Sequence, residues 1–301
     1  MTVGAIFPQS LIDNRAQNDE ENEMTNRHVV YWLIMASIVL ILMFYFKEYM
    51  LIFIAVDVAL YGCYSFYKFI FYYIDFIYPS KFSTPISVLL SIINGINCYI
   101  TQNRIAVNSF AHTMAIAAIQ TIKITKLQTL LFFGIGFMIH DIYWVFYSDR
   151  IFNKSVMMES AKSASHLPIL ISSGTKNNTN MLGLGDIVLP GLILNFFIRY
   201  DYVAKTSSFK IGIIGYLVGV VLASVAVNIT KLGQPALLYI IPSVLIFSIS
   251  TLIAQNKFTD CWSNGTTCFD TASVDGTMEN QNSDEIQLDI VEEEEKREYI
   301  S

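Results

Sequence analysis

Ile135-Gly136-Phe137-Met138-Ile139-His140-Asp141-Ile142-Tyr143-Trp144-Val145-Phe146 and Met181-Leu182-Gly183-Leu184-Gly185-Asp186-Ile187-Val188-Leu189-Pro190 are strongly apolar stretches, and each carries one aspartate. An ionisable side chain at membrane depth costs about 2.5–3.5 kcal/mol even on the mild insertion scales. Two of them, Asp141 and Asp186, therefore need a reason to be there, and the default reason is function.

The rest of the chain makes the bilayer its solvent. Hydrophobic residues are 53% of the 301 and charged ones 15%, and the mean hydropathy is +0.47. That balance is too apolar for an ordinary soluble domain and fits an all-α polytopic membrane protein. The net charge of -6 is concentrated at one end. Residues 279–301 hold nine acids against only Lys296 and Arg297, so the remainder is close to neutral. No basic face exists to neutralise phosphates, which excludes nucleic acid as a partner. The acidic run reads as a solvated, disordered tail, with a retrieval or docking signal as the alternative.

The four cysteines do not form a disulfide framework. Cys63 and Cys98 sit in apolar segments as small packing residues, and Cys261 and Cys268, just past the last apolar run, lack the further Cys or His that a zinc site needs. Residues 1–27 are polar and acidic, without the basic-then-apolar pattern of a cleavable signal, so the first span doubles as the targeting signal. At about 20 apolar residues per crossing, eight spans are expected. They lie near Val29–Phe46, Tyr49–Tyr67, Pro85–Ile100, Ile105–Ile122, Leu127–Tyr147, Met181–Ile198, Phe209–Ile229 and Pro235–Ala254. The aromatic stretch Phe69–Tyr78 either extends the second span or lies in the interface. Four regions follow: a polar cytosolic segment 1–28, N-terminal transmembrane helices 29–126, a transmembrane core 127–254 that holds both aspartates, and the acidic tail 255–301.

With both termini in the cytosol, lysine and arginine divide 12 inside to 7 outside, which favours that orientation. The loop Ser148–Asn180 then faces the lumen with two sequons, at Asn153 and Asn177. Asp141 lies about six residues, or roughly 9 Å, from the lumenal end of the fifth span, and Asp186 about five residues, or roughly 7.5 Å, into the sixth. Antiparallel neighbours thus bring two carboxylates to matching depth. Such a pair does not readily ionise twice; sharing one proton, it supplies an acid and a base to activate water. Gly183 and Gly185, flanking Leu184, weaken the helix there and let a substrate backbone come close. Gly233-Gln234-Pro235-Ala236-Leu237-Leu238-Tyr239 opens the last span from the same side, where Pro sits at little cost in the first turn and small Ala236 permits close approach.

Together these three motifs resemble the signal peptide peptidase and presenilin family of intramembrane aspartyl proteases, which carries Tyr-Asp in one span, Gly-x-Gly-Asp in the next and Pro-Ala-Leu at the start of the last. The likeness covers about Asn26 to Ala254. It is closest to the peptidase branch, through Asp141-Ile142-Tyr143-Trp144-Val145-Phe146, Ala161-Lys162-Ser163, Met181 to Gly191 and Gln234 to Tyr239, and the short polar loop between the two aspartates favours that branch over presenilins. The resemblance implies a presenilin-like fold and an endopeptidase of the endoplasmic reticulum membrane with no cofactor and no metal. Asp141 and Asp186 are the implied catalytic pair. Gly183, Leu184 and Gly185 are implied to line the substrate strand, and Pro235, Ala236 and Leu237 to shape the site. The implied partners are the lipid bilayer and transmembrane peptides such as signal-peptide remnants and type II segments. A homo-oligomer is left open, and the partner subunits that presenilins require are not expected.

This chain departs from the family pattern in two places. The usual nine spans are one short, because residues 1–28 hold no apolar run long enough to cross. His140 stands where the family has Tyr, as a candidate modulator. Adjacent helical residues point about 100° apart, so the imidazole either packs elsewhere or reaches the carboxylate and introduces a pH dependence near neutrality. The last residues lack a dilysine ending, so residence in the endoplasmic reticulum rests on the resemblance. Other intramembrane polar groups, Asp57 and Asp75 among them, read as packing contacts. Two further function classes stay open on the residues alone. Paired intramembrane carboxylates also suit a proton-coupled transporter or ion-leak channel, although no internal repeat is present, and a protease-dead scaffold could bind membrane helices.

Overall fold

A computed structural model of the chain describes residues 24–77, 82–101, 104–152, 156, 160, 167, 169–175, 178–230 and 234–266. Helix α1 (Asn26–Tyr45) turns at Phe46 into α2 (Lys47–Ile77), followed by α3 (Ser83–Thr101), α4 (Arg104–Thr121) and α5 (Leu127–Ile142). A π-helical turn, Tyr143–Tyr147, continues α5 into the short α6 (Ser148–Phe152). Strands β1 (Leu170–Thr175) and β2 (Asn178–Gly183) then lead to α7 (Gly185–Ala204), α8 (Ser208–Thr230), α9 (Leu237–Ala254) and the short α10 (Phe258–Ser263).

Seven of these helices, α1, α2, α3, α5 with its π turn, α7, α8 and α9, are long and apolar enough to cross a bilayer. The fold is that of a polytopic all-α membrane protein, as composition and spacing foretell. The remaining expected span forms a helix of 18 residues, α4, that is less apolar than the others. It tolerates this because protein surrounds it: Phe110 is fully buried, and at Gly62 of α2 a Cβ would come within 2.5 Å of its ring. The Phe69–Tyr78 question resolves as an extension of the second span, since α2 runs unbroken to Ile77.

Two expected boundaries are corrected. Met181 was expected to open the sixth span, but Met181, Leu182 and Gly183 complete β2, paired antiparallel with β1 in the register Leu170↔Gly183 to Thr175↔Asn178. The helix starts only at Gly185. The sequence Asn178-Thr179-Asn180 ahead of two glycines disfavours helix, and the ribbon satisfies backbone groups that a frayed helix end would leave open. Residues 255–266, assigned by composition to the disordered tail, are folded. Asn256 (φ +55°) reverses the chain, α10 packs against α9 and α5, and Cys261 is fully buried. The N-terminal residues 1–23, the sequons at Asn153 and Asn177, Ala161 to Ser163, Cys268 and the acidic run 279–301 lie outside the described residues.

The core forms where α5, α7 and α9 meet, around Leu130 and Phe133, Ile193 and Phe196, and Ile241 and Val244. At one end of this core three successive carbonyls ahead of α5 are each taken by a different part of the chain. Lys123 O accepts from Met24 N at 3.0 Å, Ile124 O from the Arg199 guanidinium of α7, and Thr125 O from Thr266 N at 2.8 Å. Tyr200 of α7 donates its hydroxyl to Asp260 Oδ2 of α10 at 2.9 Å. These bonds fix the starting level of α5 against α7, so the position of each aspartate follows from its distance along its own helix.

Candidate active site

Asp141 is the penultimate residue of α5, just before the helix widens into the π turn, and its side chain is buried. Single π turns inside α-helices are rare and are found frequently at functional sites. Asp186 sits in the first turn of α7, where unpaired backbone N–H groups and the helix dipole favour a carboxylate. Four residues later Pro190, inside α7, has no N–H to give to the carbonyl of Asp186. The two carboxyl groups lie within electrostatic reach of each other.

Each carboxyl also takes a backbone N–H. Leu237, the first residue of α9, directs its N–H to Asp141. The next three residues of α9 give theirs to Pro235 and Ala236 carbonyls, so the Leu237 amide is the helix-start donor left for the carboxylate. Gly183, the last residue of β2, directs its N–H to Asp186, and a Cβ at Gly183 would sit 3.5 Å from Asp186 Oδ2. Leu184 is the N-cap of α7 and its N–H is held by Ile169 O at 3.1 Å. A Cβ on Gly185 would meet nothing within 4 Å, which leaves open room beside the aspartate. Pro235 and Leu237 are buried and Ala236 is half-buried at the start of α9.

Asp141, Asp186, Gly183 and Leu237 therefore come together directly, with Leu184, Gly185, Pro235 and Ala236 in the connecting backbone. His140 goes elsewhere. Its Nε2 lies 3.1 Å from Ser37 Oγ on α1, and its ring stands beside Phe137 and Trp144. Tyr216 of α8, which motif reading passes over, lies within electrostatic reach of Asp186. Its one sequence signal is a phenol in the middle of an apolar run, Ile213-Ile214-Gly215-Tyr216-Leu217-Val218. Among the described residues no group of three or more His, Cys, Asp or Glu could hold a metal ion.

Two carboxyls within electrostatic reach at the junction of three helices, each steadied by a backbone amide, can divide the roles of acid and base around one water. Residues 16–267 match the signal peptide peptidase family. The chain belongs to that family. Among curated proteins it is 31% identical over 160 residues to "Signal peptide peptidase-like 3" of Oryza sativa, covering 50% of this chain and 31% of that protein. It is 28% identical over 178 residues to the human signal peptide peptidase, 58% of this chain and 47% of the human one. A Saccharomyces cerevisiae protein named a probable intramembrane protease is 29% identical over 214 residues, 64% of this chain and 35% of the yeast protein. The chain thus spans less than half the length of each of these relatives.

Proposed function

We propose that this chain is an intramembrane aspartyl endopeptidase in which Asp141 and Asp186 activate water against a peptide bond of a membrane helix. The observation that carries the reading is the pair of carboxyls, Asp141 buried and Asp186 half-buried, within electrostatic reach of each other where α5, α7 and α9 meet and each met by one backbone N–H. The pair holds one proton. The ionised carboxyl takes a proton from water as the oxygen attacks the peptide carbon, and the protonated one hydrogen-bonds the carbonyl oxygen as it gains charge. On collapse of the tetrahedral intermediate the amide nitrogen leaves with a proton from the carboxyl that acted as base, and the pair is restored.

A peptide bond inside a helix is shielded by its own turn, so the substrate must be extended at the site. Strand β2 runs directly into Gly183, Leu184 and Gly185, and its extended backbone beside the carboxyls supports docking of an unwound segment by main-chain hydrogen bonds. The open room at Gly185 supports close passage of that backbone. Pro235, Ala236 and Leu237 shape the opposite wall, Leu237 through the amide that orients Asp141. The substrates are transmembrane segments of the signal-peptide-remnant and type II kind, cut in the endoplasmic reticulum membrane, as the family resemblance implies.

The test is direct. Asp141→Asn and Asp186→Asn each abolish cleavage of a signal-sequence peptide by purified protein in detergent, read by mass spectrometry, while the protein stays folded. Asparagine offers no base and shares no proton. Cleavage retained by either variant at matched protein level refutes the assignment.

A further inference from the structure

Ser37 lies 3.1 Å from His140 Nε2 and 3.3 Å from Trp144 Nε1, and its own hydroxyl donates to Leu33 O at 3.0 Å. This arrangement is chemically over-determined in a useful way. A serine hydroxyl has one proton and two lone pairs, and an indole N–H only donates. With the proton directed to Leu33 O and one lone pair to Trp144, the remaining lone pair accepts from His140 in the tautomer that carries its proton on Nε2. One oxygen on α1 is thus gripped by two N–H donors, His140 and Trp144, spaced one turn apart on α5 and its π extension.

Those two donors bracket Asp141. His140 precedes it, and successive side chains diverge by about 100°, so the flank that grips Ser37 differs from the flank that presents the carboxyl to the Leu237 amide. The π turn begins two residues after Asp141. A π turn carries an extra residue per turn and breaks the regular i→i−4 ladder, so the ladder by itself does not fix how Trp144 is rotated against the turn that carries His140 and Asp141. Trp144 is buried, the rings of His140, Tyr143 and Phe152 pack around it, and Phe137 stands beside His140, so water is a poor replacement for the serine oxygen.

We infer that Ser37 is a positioning residue: by accepting from His140 and Trp144 on one flank of the helix, it sets the rotation that holds Asp141 at the Leu237 amide on the other. The inference rests on the proteolytic reading for its consequence and on the hydrogen bonds alone for its geometry. Removing the oxygen lets the segment turn, and the carboxyl loses its aim without any change in the wall that meets substrate. The loss then falls on kcat and spares KM.

The experiment compares Ser37→Ala with Ser37→Thr, which keeps the hydroxyl, in full-length protein in detergent. Cleavage of a signal-sequence peptide gives kcat and KM. Nitrogen-15 spectra give the Trp144 indole N–H, which reports the contact, and the Leu237 amide, which reports where the Asp141 carboxyl sits. Ser37→Ala lowers kcat about ten-fold, leaves KM within about two-fold, and moves both resonances; Ser37→Thr restores all of them. A Leu237 amide that stays in place while the Trp144 indole moves overturns the inference, as does a rise in KM at unchanged kcat. Should Ser37→Ala fail to fold, His140→Phe removes one of the two donors, and the same pair of resonances decides. If the wild-type protein cleaves nothing while Ser37→Ala still moves both resonances, the protease is refuted and the positioning role stands.

Discussion

The interface between α8 and α9 and the interface between α1 and α5 hold their helices together by different means. In the first, backbone touches backbone: a Cβ on Gly215 would lie 2.7 Å from Ser243 O, and one on Gly219 would lie 2.7 Å from Ile240 Cα. Small residues at such places let membrane helices approach closely, and dispersion along the seam then does the work that the hydrophobic effect does in water. In the second, a Cβ on Gly136 would lie 2.9 Å from the Leu33 side-chain tip, and the polar tie is the single oxygen of Ser37. Helix α1 buries only Val29 and Met43. The rigid seam carries the stability of the α9 end that supplies Leu237, and the adaptable one carries the aim of Asp141.

Identical substitutions on the two sides break or sharpen that contrast. Gly219→Ala drives its methyl into the Ile240 backbone, which has no rotamer to escape by, and overpacking of this kind costs about 1–3 kcal/mol. A lowered unfolding midpoint in detergent is the expected result, and an unchanged midpoint would mean the seam is looser than its geometry. Gly136→Ala meets only the tip of a leucine, which can turn aside. The gain in helix propensity, about 1 kcal/mol, offsets much of the crowding, so the midpoint shifts little. A loss as large as that of Gly219→Ala would erase the distinction between the interfaces.

The smallest effect belongs to the far end of the core. Burial first, then the charges of Asp260 and Asp201, push the Cys261 thiol up from its ordinary 9.0 to about 12. The folded thiol keeps its proton where the unfolded one gives it up, so its contribution to stability is intact below pH 9 and is lost as pH rises from there toward 12. Between pH 8 and 10 the unfolding midpoint of the parent should fall more steeply than that of Cys261→Ser. Parallel curves would show that α10 does not shield the thiol.

Several features could be read before any fold was known because they are written in single side chains. Hydropathy marks the crossings, since each must be apolar over its own length whatever its neighbours are. Asp141 and Asp186 announce themselves as costly exceptions to that rule. Other features escaped because hydropathy does not register backbone pairing. Met181-Leu182-Gly183 is apolar enough to pass for the start of a helix, yet it is a strand because a partner strand, Leu170–Thr175, is there to pair with it. Residues 255–266 look like the start of a charged tail, yet Tyr200, Thr125 and the pocket around Cys261 hold them.

His140 marks the boundary between the two kinds of knowledge. From the sequence, its place beside Asp141 leaves two directions open, because a one-residue step on a helix fixes an angle and not a neighbour. Ser37 lies 103 positions away in the chain, and no local pattern links the two. The amide that orients Asp141 belongs to Leu237, and the amide at Asp186 belongs to Gly183, in backbone groups that every residue but proline possesses. The sequence determined by itself that this is a membrane-spanning helical chain with one aspartate in each of two apolar segments, because insertion energy is a property of each segment alone. Tertiary structure decided which amide meets which carboxyl and which way His140 faces, because those depend on how separate helices are rotated against one another.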